Sequence, residues 1–287
     1  MSHYQIITDS GSDLPESMLR QLDVQRVCLS LLFREQTLPD SVDGHIIEVY
    51  DALRQGEIAK TSAVNPEGWV AVMEAALASG KDVLALAFSS GLSATYQSAV
   101  IAADELQEKY PDRKIRVVDT ACASLGQGLF VYHACKQRDA GLSLEELTAW
   151  AEENKLKLCH WFTVDDLMFL KRGGRVSAAT AVVGTMLQIK PVLHVDNEGR
   201  LINVSKARGR KASIDALVKK MEETMLRGVN DVAFICHGDC LEDAKYLEKL
   251  VKERCGVKEV FIGYTGAVIG SHAGPGVLAL FYLGEHR

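Results

Sequence analysis

The stretch DVLALAFSSGLSATYQSA (82–99) joins an apolar run to a turn of serines, and it decides the fold class. The run DVLALAF (82–88) does not alternate with polar residues, which is typical of a parallel strand covered by helices on both faces. A helix is predicted from about Thr95 to Lys109, so the serines lie in a turn between a strand and a helix. Serines in such a turn commonly handle a nucleophilic attack, a phosphate or a carboxylate.

Strand and helix patterns alternate around this stretch through the first half of the chain. The other predicted strands there are YQIIT (4–8), VCLSLLF (27–33) and IRVVD (115–119), and residues 34–66 are predicted to be irregular apart from a helix near 45–54. Capping boxes are predicted at Asp13 with Glu16 and at Ser143 with Glu146. This alternation implies right-handed crossovers and a parallel sheet.

The second half of the chain has a different pattern, with a glycine-turn hairpin. Its predicted strands are LCHWFTV (158–164), IKPVLHV (189–195), LINVSKA (201–207), VAFICHG (232–238), EVFIGY (259–264) and VLALFYL (277–283). We therefore predict an α/β protein of two domains. Residues 1–157 form an N-terminal domain with a mainly parallel sheet, and residues 158–287 form a C-terminal α+β domain with a mixed or antiparallel sheet. A ligand site is expected between them, because domain interfaces often bind ligands.

Composition narrows the class of protein. The 287 residues are 47% hydrophobic and 24% charged with a net charge of −6, and the absence of a Lys/Arg block makes nucleic acid an unexpected partner. The N-terminal residues show no signal-peptide pattern, and no apolar run approaches the roughly 20 residues of a membrane span. The seven scattered cysteines indicate reduced thiols and a cytoplasmic protein. CHGDC (236–240) holds too few ligands for a metal prediction, so no metal is expected.

The serine turn allows several interpretations. Gly91-Leu92-Ser93-Ala94-Thr95 has threonine where a nucleophile elbow has its second glycine. The chain has neither a phosphate loop with lysine nor a dinucleotide-binding glycine pattern, which disfavours a nucleotide site. A turn that opens a helix presents backbone N–H groups and hydroxyls, which suit a carboxylate. The remaining alternative is that the serines only cap the following helix.

Three further stretches have both a structural and a functional interpretation. KTSAVNP (60–66) either begins a helix or offers hydroxyls to a ligand, and FLKRGGR (169–175) either ends a helix or presents cations. GAVIGSHAGPG (266–276) is either a plain turn or a loop that approaches a ligand closely.

Taken in chain order, these stretches resemble the DegV family. The matching segments are TDSGSDLP (8–15), TSAVNP (61–66), FSSGLSATYQSA (88–99), VVDTACASLGQG (117–128), FTVDDLMFLKRGGRVS (162–177), IKPVLHVDNEGRL (189–201), ARGRKA (207–212) and GAVIGSHAGPGVLALFYLG (266–284). The resemblance implies two domains around a tunnel that holds one long-chain fatty acid. The predicted helix SAATAVVGTML (177–187) either lines this tunnel, because its small side chains leave room for an acyl chain, or only permits close helix packing. It also implies a separate ATP-dependent fatty acid kinase that phosphorylates the carboxylate, so the chain is expected to be a carrier without cofactor or catalysis.

The resemblance also assigns residues. The carboxylate is expected at Thr61 or Ser62, at Ser93 with the Ala94 backbone N–H, and at His272. Arg172 and Arg175 are expected to meet the kinase or the acyl phosphate. The sequence departs from the family at Ala94, where glycine is usual, and at TSAVNP, where TSQPS is common.

Two other functions stay open at this point. One is a serine acyl hydrolase that uses Ser93 and His272, and the other is a lipid-sensing regulator with the same fold. A carrier is also expected to touch the inner membrane surface transiently, although the net charge of −6 argues against strong electrostatic docking. The sequence leaves open the length and unsaturation of the fatty acid and the oligomeric state.

Overall fold

The computed structural model describes residues 3–176 and 188–287, and these form two main sheets and a small third one. The strands are β1 Tyr4–Asp9, β2 Val24–Val27, β3 Ser30–Phe33, β4 Gln36–Pro39, β5 Lys60–Ser62, β6 Asp82–Ala87, β7 Ile115–Asp119, β8 Leu158–Thr163, β9 Ile189–Val195, β10 Leu201–Arg208, β11 Val232–His237, β12 Glu259–Tyr264 and β13 Leu278–Leu283. The helices are α1 Glu16–Gln21, α2 Ile46–Arg54, α3 Pro66–Ala78, α4 Thr95–Lys109, α5 Leu125–Asp139, α6 Leu144–Asn154, α7 Leu167–Arg172, α8 Arg210–Thr224, α9 Leu241–Cys255 and α10 Ala267–Ala273.

The first sheet is parallel and has the strand order β2–β1–β6–β7 in the described chain. Ile6 of β1 is paired with Val24 on one side and with Leu84 on the other. Strand β6 is buried from Val83 onward, as its unbroken apolar sequence predicts for a strand with both faces covered. The predicted parallel sheet is therefore confirmed.

The second sheet is mixed, with the order β10–β9–β8–β13–β11–β12 among the described residues. Its neighbours are antiparallel except β11 and β12, which are parallel. The predicted hairpin is the pair β9–β10, which has a bulge between Asn203 and Ser205. The mixed sheet of the second half agrees with the prediction.

The two sheets lie on either side of a shared layer that contains helices α5 and α6. Helices α3 and α4 cover the outer face of the first sheet, and α8 and α9 cover the outer face of the second. Helix α5 packs against β8, β11 and β13, and α6 packs against α5, β6 and β7. Apolar side chains from both sheets and from α5 and α6 form one continuous core between the sheets.

Three local predictions are wrong. VCLSLLF (27–33) is not one strand, because the Leu29 N–H donates to Ser10 Oγ and its carbonyl accepts from Asp40 N. The chain thus leaves the first sheet at Val27 and enters a small antiparallel sheet, β4–β3–β5. The second error is that segment 34–66, predicted to be irregular apart from one helix, contains strands β4 and β5 of this sheet. The third error concerns GAVIGSHAGPG (266–276), which contains helix α10 instead of a loop.

Of the two predicted capping boxes, the one at Ser143 and Glu146 is confirmed and the one at Asp13 is wrong. Asp13 has a left-handed backbone and turns its side chain inward, where Oδ2 accepts a hydrogen bond from Ser124. The Glu16 N–H instead donates a hydrogen bond to Asp43 Oδ2. The segment SAATAVVGTML (177–187), predicted to be a helix, lies outside the described residues.

Candidate functional site

A cavity of about 300 Å³, the main cavity, lies between the two sheets beside the first turn of α5. Its volume is at the lower end of the range that is usual for small-molecule sites. Most of its wall is apolar, and both halves of the chain contribute to it. The apolar side chains are those of Leu29, Ala63, Phe88, Leu92, Ala123, Phe162, Leu170, Val195, Leu201, Val268, Ile269, Ala273, Val277, Ala279 and Phe281.

The structure brings all the residues predicted for a carboxylate to this cavity. We define its head-group end as Thr61, Ser62, Ser93, Ala94, Arg175 and His272, all of which line the main cavity. They come from β5, the serine turn, the segment after α7, and α10. That these residues bind a carboxylate remains a prediction from the sequence.

Thr95 ties the serine turn to the segment that follows β5. It is fully buried, and its Oγ1 lies 2.9 Å from Ser93 Oγ and accepts a hydrogen bond from Val64 N at 3.4 Å. The Thr95 carbonyl accepts from Trp69 Nε1 at 3.1 Å. Thr95 therefore joins Ser93 to Val64, three residues after Thr61, and so fixes the two hydroxyls relative to each other. In the sequence, Thr95 is noticeable only because a nucleophile elbow has glycine at that position.

The Thr61 hydroxyl lies 2.7 Å from His272 Nε2. Burial, together with the nearby charge of Arg175, lowers the pKa of His272 to about 4. The imidazole is therefore neutral at neutral pH and carries one N–H. When that proton is on Nε2, the ring donates to Thr61, and the Thr61 hydroxyl can donate its own proton to a ligand.

Gly173 makes room for His272. A Cβ at position 173 would lie inside 3.0 Å of His272 Nδ1, which real Cβ atoms essentially never do. The atom it would meet belongs to a ring that is already held by Thr61. Gly173, the first glycine of KRGGR, is thus required by the position of His272.

We expect Gly173→Ala to displace the imidazole and raise the pKa of His272 from about 4 toward its ordinary value of 6.5, since the ring moves out of its buried site. Titration of the His272 ring by NMR measures this. Gly44→Ala is the matched control, because the nearest atoms to its Cβ are 4.0 Å away. An unchanged pKa in Gly173→Ala would contradict the assigned contact.

Arg175 separates the main cavity from an outer cavity of about 250 Å³. Arg175, Thr61 and His272 line both cavities, whereas Arg172 lines only the outer one and stacks on the ring of Phe169 at 4.5 Å. Arg175 Nε donates to Leu92 O at 3.3 Å, which holds the guanidinium beside the serine turn. The two arginines thus lie at different depths along one path.

The sequence did not identify a second polar group in the main cavity. Ser124, Cys236 and Thr265 line it, and the Ser124 and Thr265 hydroxyls lie 3.2 Å and 3.0 Å from Cys236 Sγ. Burial raises the pKa of Cys236 to about 12, which keeps the sulfur a neutral thiol. These residues come from three distant segments, so no local pattern could have grouped them.

The contacts of Ser93 and His272 bear on hydrolase chemistry. In a serine hydrolase the nucleophile and the base are within hydrogen-bond reach of each other. In the described structure Ser93 Oγ is bonded with Thr95, and His272 Nε2 is bonded with Thr61. Among the described residues, Ser93 and His272 are therefore each bonded to a different threonine and not to each other. This arrangement favours two hydroxyls at one end of the cavity over a nucleophile with its base.

Within residues 3–176 and 188–287, none of the helices is both long enough and apolar enough to cross a bilayer. The same residues contain no group of three or more His, Cys, Asp or Glu side chains placed to hold a metal ion. The fold and the main cavity together define an α/β protein with a buried apolar pocket that has a polar end.

The chain belongs to the DegV family. A family model described as "Uncharacterised protein, DegV family" matches residues 3–285. A DegV domain-containing protein of Clostridium perfringens is 45% identical over 289 residues, covering 100% of this chain and 99% of that protein.

Solved structures of the family show the same two-domain fold. A DegV family protein of Thermus thermophilus that binds fatty acid superposes with a TM-score of 0.87 at 33% identity, covering 98% of this chain and 99% of its own. DegV of Bacillus subtilis, a fatty acid binding protein, superposes with a TM-score of 0.83 at 30% identity, covering 99% and 100%.

Proposed function

We propose that this protein binds a single long-chain fatty acid in the main cavity and presents its carboxylate to a separate ATP-dependent fatty acid kinase. The observation that carries the proposal is the main cavity itself, whose apolar wall ends at a cluster of hydroxyls, a neutral histidine and an arginine. The chain is then a cytoplasmic carrier, built from domains 1–157 and 158–287, and takes no part in the chemical step.

The apolar wall suits an acyl chain on energetic grounds. Removing a methylene from water contributes about 0.8 kcal/mol, so a sixteen-carbon tail supplies on the order of 12 kcal/mol of gross driving force. Ordering the chain and removing it from its previous environment offset part of this. Phe88, Phe162 and Phe281 provide large apolar contact areas at separate points of the wall.

The head-group end suits a carboxylate better than a neutral lipid. Thr61 and Ser93 offer hydroxyl donors, and hydrogen bonds to a charged partner are stronger than those between neutral groups. Arg175 supplies the positive charge, and His272 is neutral because burial lowers its pKa to about 4. A singly charged anion is thus matched by one cation and several neutral donors.

The outer cavity suits the proposed meeting with the kinase. In the chemical step a carboxylate oxygen of the fatty acid attacks the γ-phosphorus of ATP, which releases ADP and leaves an acyl phosphate. Arg172 and Arg175 line the outer cavity, where they can contact the phosphoryl group or the kinase. Thr61 and His272 stand between the two cavities, so a carboxylate held there is next to the outer one.

Native mass spectrometry of the purified protein, followed by solvent extraction and lipid identification, tests the binding. We expect one fatty acid per chain, because the main cavity has one apolar wall and one polar end. Protein that carries no lipid and takes up neither palmitate nor oleate would overturn the proposal.

A second experiment separates the carrier from the two other candidate functions. Lipid-loaded protein is mixed with a fatty acid kinase and ATP, and acyl phosphate is measured. A hydrolase would instead cleave acyl esters by itself and lose this activity in Ser93→Ala. A lipid-sensing regulator would bind lipid but support no acyl phosphate formation.

A further inference from the structure

The main cavity has a defined far end. Ala279 and Phe281 line it from one face of β13, Val277 lines it from just before that strand, and at about 3.3 Å per residue the three span about 13 Å. Val277 lies close in the chain to His272 of the head-group end, which makes Phe281 the candidate for the opposite end. There the Phe281 ring packs edge-on against His160 with centroids 5.3 Å apart.

Helix α5 closes this end. A Cβ at Gly126 would lie inside 3.0 Å of both the His160 and the Phe281 rings, so no space remains behind them. The Ala123 N–H donates to His160 Nε2 at 3.3 Å, which joins the segment before α5 to β8. We call Ala123, His160, Val195 and Phe281 the far wall.

Arg287 lies behind the far wall and bonds to several chain segments at once. Its side chain donates to Leu158 O at 3.0 Å, Ala121 O at 2.7 Å, Asp196 O at 3.0 Å, Lys155 O at 3.0 Å and Cys122 Sγ at 3.2 Å. All three guanidinium nitrogens take part. The planar fork of arginine suits such a role, because its donors have fixed relative directions.

Four of these five acceptors lie within two residues of a far-wall residue in the chain. Ala121 and Cys122 directly precede Ala123, Leu158 is two residues before His160, and Asp196 follows Val195. One guanidinium therefore fixes three of the four wall segments relative to one another. In addition, burial and the charge of Arg287 lower the pKa of His160 well below its ordinary value, so Nε2 stays an acceptor for Ala123.

We propose that Arg287 determines the acyl chain length that the protein accepts, by holding the far wall closed against the end of the chain. This inference rests on the proposed fatty acid binding. Removing the guanidinium frees the segments around Ala123, His160 and Val195, so a longer chain can push the wall outward. Arg287 acts through the wall and does not touch the ligand.

The test is a set of dissociation constants for saturated fatty acids of fourteen to twenty carbons, measured with wild type, Arg287→Ala and Arg287→Lys. We expect wild type to lose affinity sharply beyond its preferred length. In both variants the ratio between the affinities for the longest and the preferred acid should rise about tenfold, the scale of one misplaced methylene. Arg287→Lys keeps the charge near His160 but has a single donor nitrogen, so it cannot reproduce the five bonds that the three guanidinium nitrogens make.

Arg138→Ala is the matched control. Arg138 is also largely buried, and it also donates to two backbone carbonyls, those of Leu22 and Asp23. It lies in the last turn of α5, roughly 20 Å from the first turn that borders the cavity. Its loss should lower the stability without changing the chain-length preference.

The outcomes are distinct. If wild type binds none of the acids, the proposed function fails. If wild type binds them and both Arg287 variants keep its chain-length ranking while folded by circular dichroism, the inference is overturned. The same change of ranking in Arg138→Ala would also overturn it, because loosened packing in general would then explain the effect.

Discussion

A protein with both Ser93→Ala and Thr61→Val is expected to bind palmitate about a hundredfold more weakly than wild type. A hydrogen bond to a charged group contributes about 1.5–3 kcal/mol, and 1.4 kcal/mol corresponds to a factor of ten in affinity. Each single substitution should thus cost about tenfold. Isothermal titration calorimetry of delipidated protein measures the three constants.

The hydrogen-bond network explains why these two hydroxyls matter. Ser93 Oγ accepts from the Thr95 N–H at 3.2 Å and lies 2.9 Å from Thr95 Oγ1, which itself accepts from Val64 N. When the Thr95 hydroxyl donates to Ser93, the Ser93 proton is left for a ligand. When the His272 proton is on Nε2, the ring donates to the Thr61 hydroxyl, which then has its own proton for the ligand. Both donors are oriented before the ligand arrives, which lowers the entropic cost of binding.

Two comparisons make this result specific. Thr148→Val removes a hydroxyl that bonds only within α6, through Leu144 O, and should leave the affinity unchanged. Ser62→Ala shows whether Ser62 shares the role of Thr61, since both line the cavity. If the double variant binds palmitate as tightly as wild type, the carboxylate lies elsewhere, and the hydroxyls of Ser124 and Thr265 become the candidates.

The sequence predicted the features of the fold that depend on local patterns. The run DVLALAF (82–88) is the buried strand β6, and the helix predicted from Thr95 to Lys109 is α4 with the same limits. Such features follow from apolar periodicity and turn residues, which act over a few positions. The domain boundary between residues 157 and 158 stays a prediction.

Features that depend on distant contacts could not be predicted in this way. Asp13 resembles a helix cap in sequence, but in the structure its side chain is buried against Ser124, 111 residues away. The chain enters the short sheet β4–β3–β5 after Leu29, whose backbone is bonded by Ser10 Oγ and the Asp40 N–H, and neither contact is local in sequence. Likewise, the Cys236 group of the main cavity joins three separate segments.

The head-group end lies between these two cases. The hydroxyls and His272 occur in stretches whose composition is unusual for plain turns, and a family resemblance linked them. Their relative positions depend on Thr95 and Gly173, which the sequence did not single out for this purpose. Sequence patterns can therefore supply the donors of a site, whereas the residues that orient them are found from packing.

The second large effect concerns two buried carboxyl groups next to α10. Asp40 and Asp13 are 1% and 2% exposed, and in the described structure Asp40 Oδ2 and Asp13 Oδ1 have no hydrogen-bond partner. Burial raises the pKa of Asp40 to about 6, although the Val268 N–H, which donates to Oδ1 at 3.0 Å, favours the charged form. Burial and the charge of Asp40 also raise the pKa of Asp13.

We expect Asp40→Asn to stabilise the protein at neutral pH by about 3 kcal/mol. The folded pKa of about 6 lies above the ordinary 3.8, so the wild type loses stability as pH rises from about 4 through about 6. Two pKa units correspond to about 2.7 kcal/mol. Asparagine does not ionise, and its oxygen can still accept from Val268. Urea unfolding of both proteins between about pH 4 and pH 8 measures the difference.

The difference between the two proteins reports Asp40 together with Asp13 and Asp9, because the charge of Asp40 raises the pKa values of both neighbours. It excludes groups that are not coupled to Asp40. Burial lowers the pKa values of His133, His194 and His272 to about 4, so these residues destabilise the fold as pH falls below about 6.5. That effect is common to both proteins and cancels. Asp104→Asn, at an exposed position, is the control and should leave the curve unchanged. An Asp40→Asn protein less stable than wild type at pH 8 would mean that the fold requires the charged carboxylate, as it would if Asp40 anchored the start of α10 through a charge-assisted bond to Val268.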